Sequence, residues 1–263
     1  MSAVLLMYHM VDTPQTSAEA RFCRAPHRFR EDLEHLRDAR YNVMSLSDAS
    51  AFLKGETAWP RKAAVITFDD GAACGYTHAL PILKTFGYSA SFFTVTNLID
   101  GHNDWAQAHG FSRRRMLSKQ EIREMDAAGM NFGSHTASHC RLAQANPSRL
   151  QTELNDSKAQ LEDILGHQVE HFAYPYGSWN ANARDAVIAA GYSLACSTVP
   201  GKVRRNCDPF LIRRVEIKGD DTPLQFSLKL RFGTQDMPPV SDARRFARRT
   251  LEGLGVLRPR TTA

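Results

Sequence analysis

Apolar residues along the chain gather into short runs separated by turn residues. Eight of these runs have the length and the β-branched or aromatic character of strands: VLLMYH (4–9), YNVMSL (41–46), AVITF (64–68), SASFFTV (89–95), MNFGSH (130–135), EHFAYP (170–175), YSLACST (192–198) and FLIRRVEI (210–217). Between several of them the apolar spacing changes to three and four. Over 27–40, Phe29, Leu33 and Leu36 share one helical face. Leu117 stands ahead of Ser118-Lys119-Gln120-Glu121, a staple residue followed by a capping box, with Ile122 and Met125 turned inward. Asn146 and Pro147 read as an N-cap and first helical position. Leu150, Leu154, Leu161 and Leu165 then mark a long helix that Gly166 ends. This alternation predicts parallel strands wrapped by helices, as an open sheet or a barrel, and in both the chemistry collects at the carboxyl ends of the strands. The longest stretch without a pattern is 96–116, which carries Trp105 and three consecutive arginines. Loops of that length are usually functional or mobile.

Composition adds bounds. The chain has 263 residues, 43% hydrophobic and 23% charged, enough for one large α/β domain. No run approaches the length of a membrane span, and the amino end does not read as an export signal, so the expected location is the cytoplasm. Cys23, Cys74, Cys140, Cys196 and Cys207 are odd in number and never spaced Cys-x-x-Cys, which argues against a disulfide framework or a thiolate zinc site. The +5 net charge is concentrated late: from Ser241 onward six arginines stand against Asp242 and Glu252. That segment reads as a basic helix, either packed on the domain as an ordinary solvated element or held against the inner face of an anionic membrane.

Three motifs carry chemistry. In AAVITFDDG the apolar strand runs straight into Asp69 and Asp70. Carboxylates are expensive to bury in a strand, but at its carboxyl end a cation or a reacting proton offsets the desolvation. Asp-Asp-Gly is also an ordinary turn. In GSHTASHC, His135 and His139 lie four apart, so one turn of helix after the strand would set both rings on one side, as a metal requires. With a carboxylate from another strand end they make two nitrogens and one oxygen, the donor set of an open hydrolytic metal site. In FAYPYGSWN, Pro175 and Gly177 shape a turn that would free the Tyr176 amide as an oxyanion donor, and the plainer reading is a strand-ending turn with an aromatic plug.

TFDDG, SHTASH and YPYG in this order resemble the polysaccharide deacetylases of the NodB-homology type, carbohydrate esterase family 4, from about residue 3 to about residue 217. The resemblance implies a distorted (β/α) barrel of seven or eight mainly parallel strands. It implies Asp69 as general base and Asp70, His135 and His139 as ligands of a divalent metal, zinc before cobalt, nickel or manganese. Two departures are informative. Many members place an arginine two residues before the motif proline to orient the base. Ala173 stands there instead, and Arg214 is the candidate substitute, its alternative being a surface arginine on a last strand. Many members also draw a general-acid histidine from a late motif, yet this chain has no histidine after His171. His9, ending the first strand, is the candidate in its place, which brings the chain nearer the branch acting on poly-N-acetylglucosamine-type exopolysaccharides.

The expected activity is hydrolysis of the N-acetyl group of an amino sugar in a glycan or in its lipid-linked or nucleotide-linked precursor, with no nucleic acid involved. Trp105, Pro175, Tyr176 and Trp179 are the candidate sugar contacts. The expected division is a catalytic domain over 1–220 and a helical, arginine-rich extension over 221–263, packed on the domain or trailing it. The competing readings are an amide hydrolase acting on a non-carbohydrate substrate and an inactive sugar-binding module.

Overall fold

The computed structural model describes residues 2–58 and 60–235. In chain order its elements are β1 (Ser2–Tyr8), α1 (Pro26–Asp38), β2 (Asn42–Val43), α2 (Leu46–Leu53), β3 (Ala63–Phe68), α3 (Leu80–Phe86), β4 (Ser91–Thr94), α4 (Asp104–Gln107), α5 (Lys119–Ala127), β5 (Asn131–Ser134), α6 (Pro147–Leu165), β6 (His171–Ala173), α7 (Ala181–Ala189), β7 (Leu194–Cys196), β8 (Lys202–Arg204), β9 (Val215–Glu216) and α8 (Pro223–Phe232). The strands form one sheet in the order β7-β6-β5-β4-β3-β1-β8, with β2 beside β3 and β9 beside β1. Every named ladder is parallel except β1 with β8. The strand β8 was not among the expected runs. It is three residues long with one buried side chain, too little for a pattern to register.

Both faces of the sheet are apolar, as parallel strands require, and the period of two decides which residue goes where. Val4, Leu6 and Tyr8, Ala64, Ile66 and Phe68, and Phe92 and Phe132 face outward, where α1, α3, α5 and α8 cover them. Tyr8, Phe68, Phe92 and Phe132 form a ladder across four neighbouring strands, with successive centroids 5.4, 4.6 and 5.8 Å apart. Phe172 and Ala195 face outward against α6 and α7. The alternate residues, Ala3, Leu5, Ala63, Val65, Phe93, Ala173, Leu194 and Cys196, fill the interior, and Leu46, Ala49 and Phe52 of α2 plug its amino-terminal end.

The sheet curls until its two edges share one segment. Ile212 bridges Cys196 of β7, and three residues later Val215 and Glu216 pair with Leu6 and Met7 of β1. Residues 212–216 therefore close the barrel, with Arg214 at the closure. The long helix and the capping box stand as read: Asn146 caps α6, Gly166 ends it in the left-handed conformation, and Ser118 with Glu121 completes the box at α5. Phe226 and Leu230 of α8 enter the outer core, and Lys229 donates to the Glu216 carbonyl and pairs with Asp221. The arginine-rich segment from Ser241 lies outside the described residues. Among the described residues no helix is long and apolar enough to cross a membrane, and all five cysteines are free.

Candidate active site

Inner positions of the strands continue past their carboxyl ends. On β3 the inward series Ala63, Val65, Thr67 leads to Asp69; on β1 the series Ala3, Leu5, Met7 leads to His9; on β5, Gly133 leads to His135. Asp69 donates its backbone N–H to the Tyr8 carbonyl, which sets it beside His9. These residues meet in a cavity of about 580 Å³, lined also by Asp70, Trp105, His139, Arg141 and Tyr176.

Simple alternation would send Asp70 outward. Its left-handed backbone, φ 74°, turns the chain so that the second carboxylate also reaches the cavity. Gly71 follows at φ 82°, and a Cβ there would lie 2.9 Å from the Thr94 methyl, so the turn requires glycine on two counts. Seven described non-glycine residues have positive φ, and four of them, Asp70, Thr136, His139 and Tyr176, build this site. Such conformations cost on the order of 1 kcal/mol each and persist where the surroundings enforce them.

The histidine pair is not arranged as its spacing suggested. Residues 135–140 form a loop, with Thr136 at φ 65° and His139 at φ 59°, and the Thr136 hydroxyl accepts the His139 N–H at 2.9 Å. Two left-handed residues reverse the chain where one helical turn was expected, and the rings still converge, 5.0 Å between centroids. His135 Nε2 lies 3.5 Å and His139 Nε2 3.2 Å from the same Asp70 oxygen, and the donor atoms of the three residues lie within 4.8 Å of one another.

The chemistry of these donors fits a divalent metal. His135 Nδ1 sits 2.8 Å from the Ala173 carbonyl, which can only accept, so the neutral ring carries its proton there and turns the Nε2 lone pair toward the Asp70 carboxylate. Two electron-rich atoms face each other unless a cation lies between them. Burial pulls His139 below the ordinary imidazole range and so favours the neutral, ligating form.

Asp69 is buried, and both of its oxygens accept from Arg214, at 2.6 and 2.7 Å. Arg214 is fully buried and donates further to the Ser197 carbonyl at 3.0 Å and to Thr67 Oγ1 at 3.1 Å. Burial would raise the Asp69 carboxyl, yet the Arg214 guanidinium, His135 and His9 outweigh it and keep it below its ordinary range. The surface alternative for Arg214 is thereby removed, and the cation missing at Ala173 arrives from the barrel-closing segment.

His9 packs edge-on against Phe22 at 5.0 Å, and its buried Nδ1 has no hydrogen-bond partner among the described residues. Tyr176 lies across the cavity, its ring 4.5 Å from that of His139, while Trp105 approaches the same imidazole at 4.7 Å. The turn holding Tyr176 spends the N–H groups of Gly177 and Ser178 on the Tyr174 and Pro175 carbonyls. Two candidate sugar contacts do not reach the cavity wall: Pro175 is buried beneath the turn, and Trp179 is exposed beyond it.

The 96–116 segment is anchored. Arg114 pairs with Glu19 at 2.6 Å and Asp12 at 2.9 Å, and Asn103 accepts the Arg114 N–H at 2.6 Å. Glu19 is fully buried, which raises its carboxyl, but Arg114 and Ser112 outweigh the burial and bring it down to about 2. Glu19, Asp12 and Arg141 were not singled out in the sequence, because partners this far apart leave no local signature.

A profile of the polysaccharide deacetylase family matches residues 57–195, and the chain belongs to that family. It is 28% identical over 178 residues to a poly-β-1,6-N-acetyl-D-glucosamine N-deacetylase of Staphylococcus aureus, an alignment covering 64% of this chain and 59% of that protein. The fold is similar to the Streptococcus pyogenes deacetylase PplD, solved in complex with acetate, with a TM-score of 0.76, 27% identity, and coverage of 88% of this chain and 98% of that one. It is also similar to IcaB from Ammonifex degensii, with a TM-score of 0.74, 24% identity, and coverage of 89% and 97%. Family, barrel and kinship with the poly-N-acetylglucosamine branch agree with the motif reading.

Proposed function

We propose that this protein hydrolyses the N-acetyl group of an amino sugar within a glycan or glycan precursor, releasing acetate and leaving a free amine. The observation that carries the reading is one cavity holding a buried Asp69–Arg214 pair beside the convergent Asp70, His135 and His139 donors. A divalent metal held by those three residues, zinc before cobalt, nickel or manganese, would supply Lewis-acid polarisation of the acetyl group and a more acidic water.

The protein's own groups divide the remaining tasks. Asp69 stays ionised because Arg214 stabilises its charge, and it takes the proton of the attacking water. Arg214 is a positioning residue: two hydrogen bonds fix the plane of the carboxylate, and its hold on Asp69 weakens the base while keeping it available to low pH. The Tyr176 amide donates to the oxygen that gains negative charge as the carbonyl becomes tetrahedral. His9, at the carboxyl end of the neighbouring strand β1, gives a proton to the departing nitrogen. Trp105 and Tyr176 flank the space where a sugar ring would lie, and Pro175 shapes the turn that presents the Tyr176 amide.

The test is acetate release from N-acetylglucosamine oligomers and from lipid-linked or nucleotide-linked N-acetyl sugars, with and without chelator and added zinc. Release that chelator abolishes and metal restores is the expected result. His139→Ala should emerge from dialysis without bound metal, while Asp69→Asn should retain it and turn over little. Chelator-resistant release, or substantial turnover by Asp69→Asn, would overturn the assignment.

A further inference from the structure

Three guanidinium groups line the cavity, and they are not equivalent. Arg21 pairs with Glu216 at 2.5 Å, and Arg114 with Asp12 and Glu19. Deeper in the site Arg214 is matched by Asp69. Arg141 is exposed at the mouth and, among the described residues, has no carboxylate within ion-pairing distance. Its guanidinium carbon instead lies 3.9 Å from the centroid of the Tyr176 ring. That ring is held from behind by His139 and from below by a left-handed backbone at φ 57°. Stacking of this kind occupies the flat face of a guanidinium and leaves N–H donors in its own plane for a planar or tetrahedral oxyanion.

We propose that Arg141 is a specificity-determining residue that receives an anionic group, carboxylate or phosphate, on the unit next to the N-acetyl sugar undergoing hydrolysis, so that the preferred substrate is an acidic glycan. The inference rests on the deacetylase reading and narrows its substrate class. A neutral glycan offers hydroxyl and acetamido groups and needs no fixed cation. Every other guanidinium of the wall is neutralised within the protein, so the one left over is matched by what enters. Arg141 itself stands two residues along the chain from His139, which fixes the anion's place relative to the reacting acetyl group.

The experiment compares kcat and KM for acetate release from three probes at low and high salt: an N-acetylglucosamine tetramer, a tetrasaccharide alternating N-acetylglucosamine with glucuronic acid, and an N-acetylglucosamine oligomer ending in a phosphate. The wild type should show a lower KM for an anionic probe, with salt eroding the advantage, and the two anionic arms identify carboxylate or phosphate as the source. Arg141→Met, which still covers the Tyr176 ring, should raise KM for that probe about tenfold with little change in its kcat, the worth of one charge-assisted contact. Arg141→Lys should restore part of the preference. Arg205→Met, an equal charge change at the far end of the barrel, should leave the preference as it is. Equal KM values for neutral and anionic probes in the wild type, or an equal KM rise for all probes in Arg141→Met, would overturn the inference while leaving the deacetylase standing. If no probe releases acetate, the deacetylase reading fails, and calorimetric binding of the anionic probes decides separately: weaker binding by Arg141→Met supports the inference, and equal binding overturns it.

Discussion

The two ends of the barrel interior are made by the same strands at the same parity, yet they are different materials. At the amino-terminal end the inward positions are Ala3, Leu5, Ala63 and Val65, sealed by α2. At the other end the same series runs on through Met7 and Thr67 to His9 and Asp69, with His135 beside them and Arg214 paired to Asp69. One end is apolar and closed. The other is charged, open, and built on four residues held at positive φ. A parallel barrel thus separates stability from chemistry along its own axis: the plug supplies the burial that holds the strained mouth in place.

Substitutions at the two ends should accordingly separate kcat from stability. The largest effect belongs to Asp69→Asn, which should lower kcat by about 10³-fold and keep bound metal; a loss below about tenfold would mean the mouth does not house the base. Leu5→Ala, at the plug, should cost about 3 kcal/mol in denaturant unfolding and leave the kcat of the folded fraction intact. If kcat falls with it, the two ends are coupled and the separation is wrong.

His171 sharpens the contrast with a titration. Burial, aided by Lys54 and Lys158, pulls this imidazole down to about 4, and its Nε2 has no hydrogen-bond partner among the described residues. The folded state therefore keeps it neutral while the unfolded chain protonates near the ordinary value of about 6.5. Stability should fall as the pH drops from that value toward 4, by up to about 3 kcal/mol, and His171→Leu should flatten that part of the curve. An unchanged slope would remove His171 from the account. The smallest expected effect is at Arg40, whose φ of 57° follows α1 far from the mouth. Arg40→Gly should raise stability by about 0.5 kcal/mol, whereas the same change at Asp70 or His139 would remove a donor of the candidate metal site. A destabilised Arg40→Gly would show that positive φ is not the cost assumed here.

These two regions also differed in how much the sequence disclosed. Strand positions were legible because buried parallel strands must be apolar on both faces, and the α5 and α6 termini because their caps are local. Asp69, Asp70, His135 and His139 were found from motif order, and Arg214 from the absence of an arginine at residue 173. The loop geometry of the histidine pair was not legible, since spacing of four suits a helix and nothing local announces two left-handed residues. The short β8 escaped for want of length. The Glu19–Arg114 and Arg141–Tyr176 contacts join residues 95 and 35 positions apart, and only folding reveals such pairs.

The closing segment has a consequence for the chain during its synthesis. Asp69 leaves the ribosome 145 residues before Arg214. Until that arginine arrives, sealing the barrel would bury a carboxylate with no counter-charge, a state costing several kcal/mol unless the group takes up a proton. The nascent barrel is therefore discouraged from shutting early, and residues 212–216 deliver both the closure and the charge that permits it. The buried Asp69–Arg214 pair can therefore form only once residues 212–216 have been made.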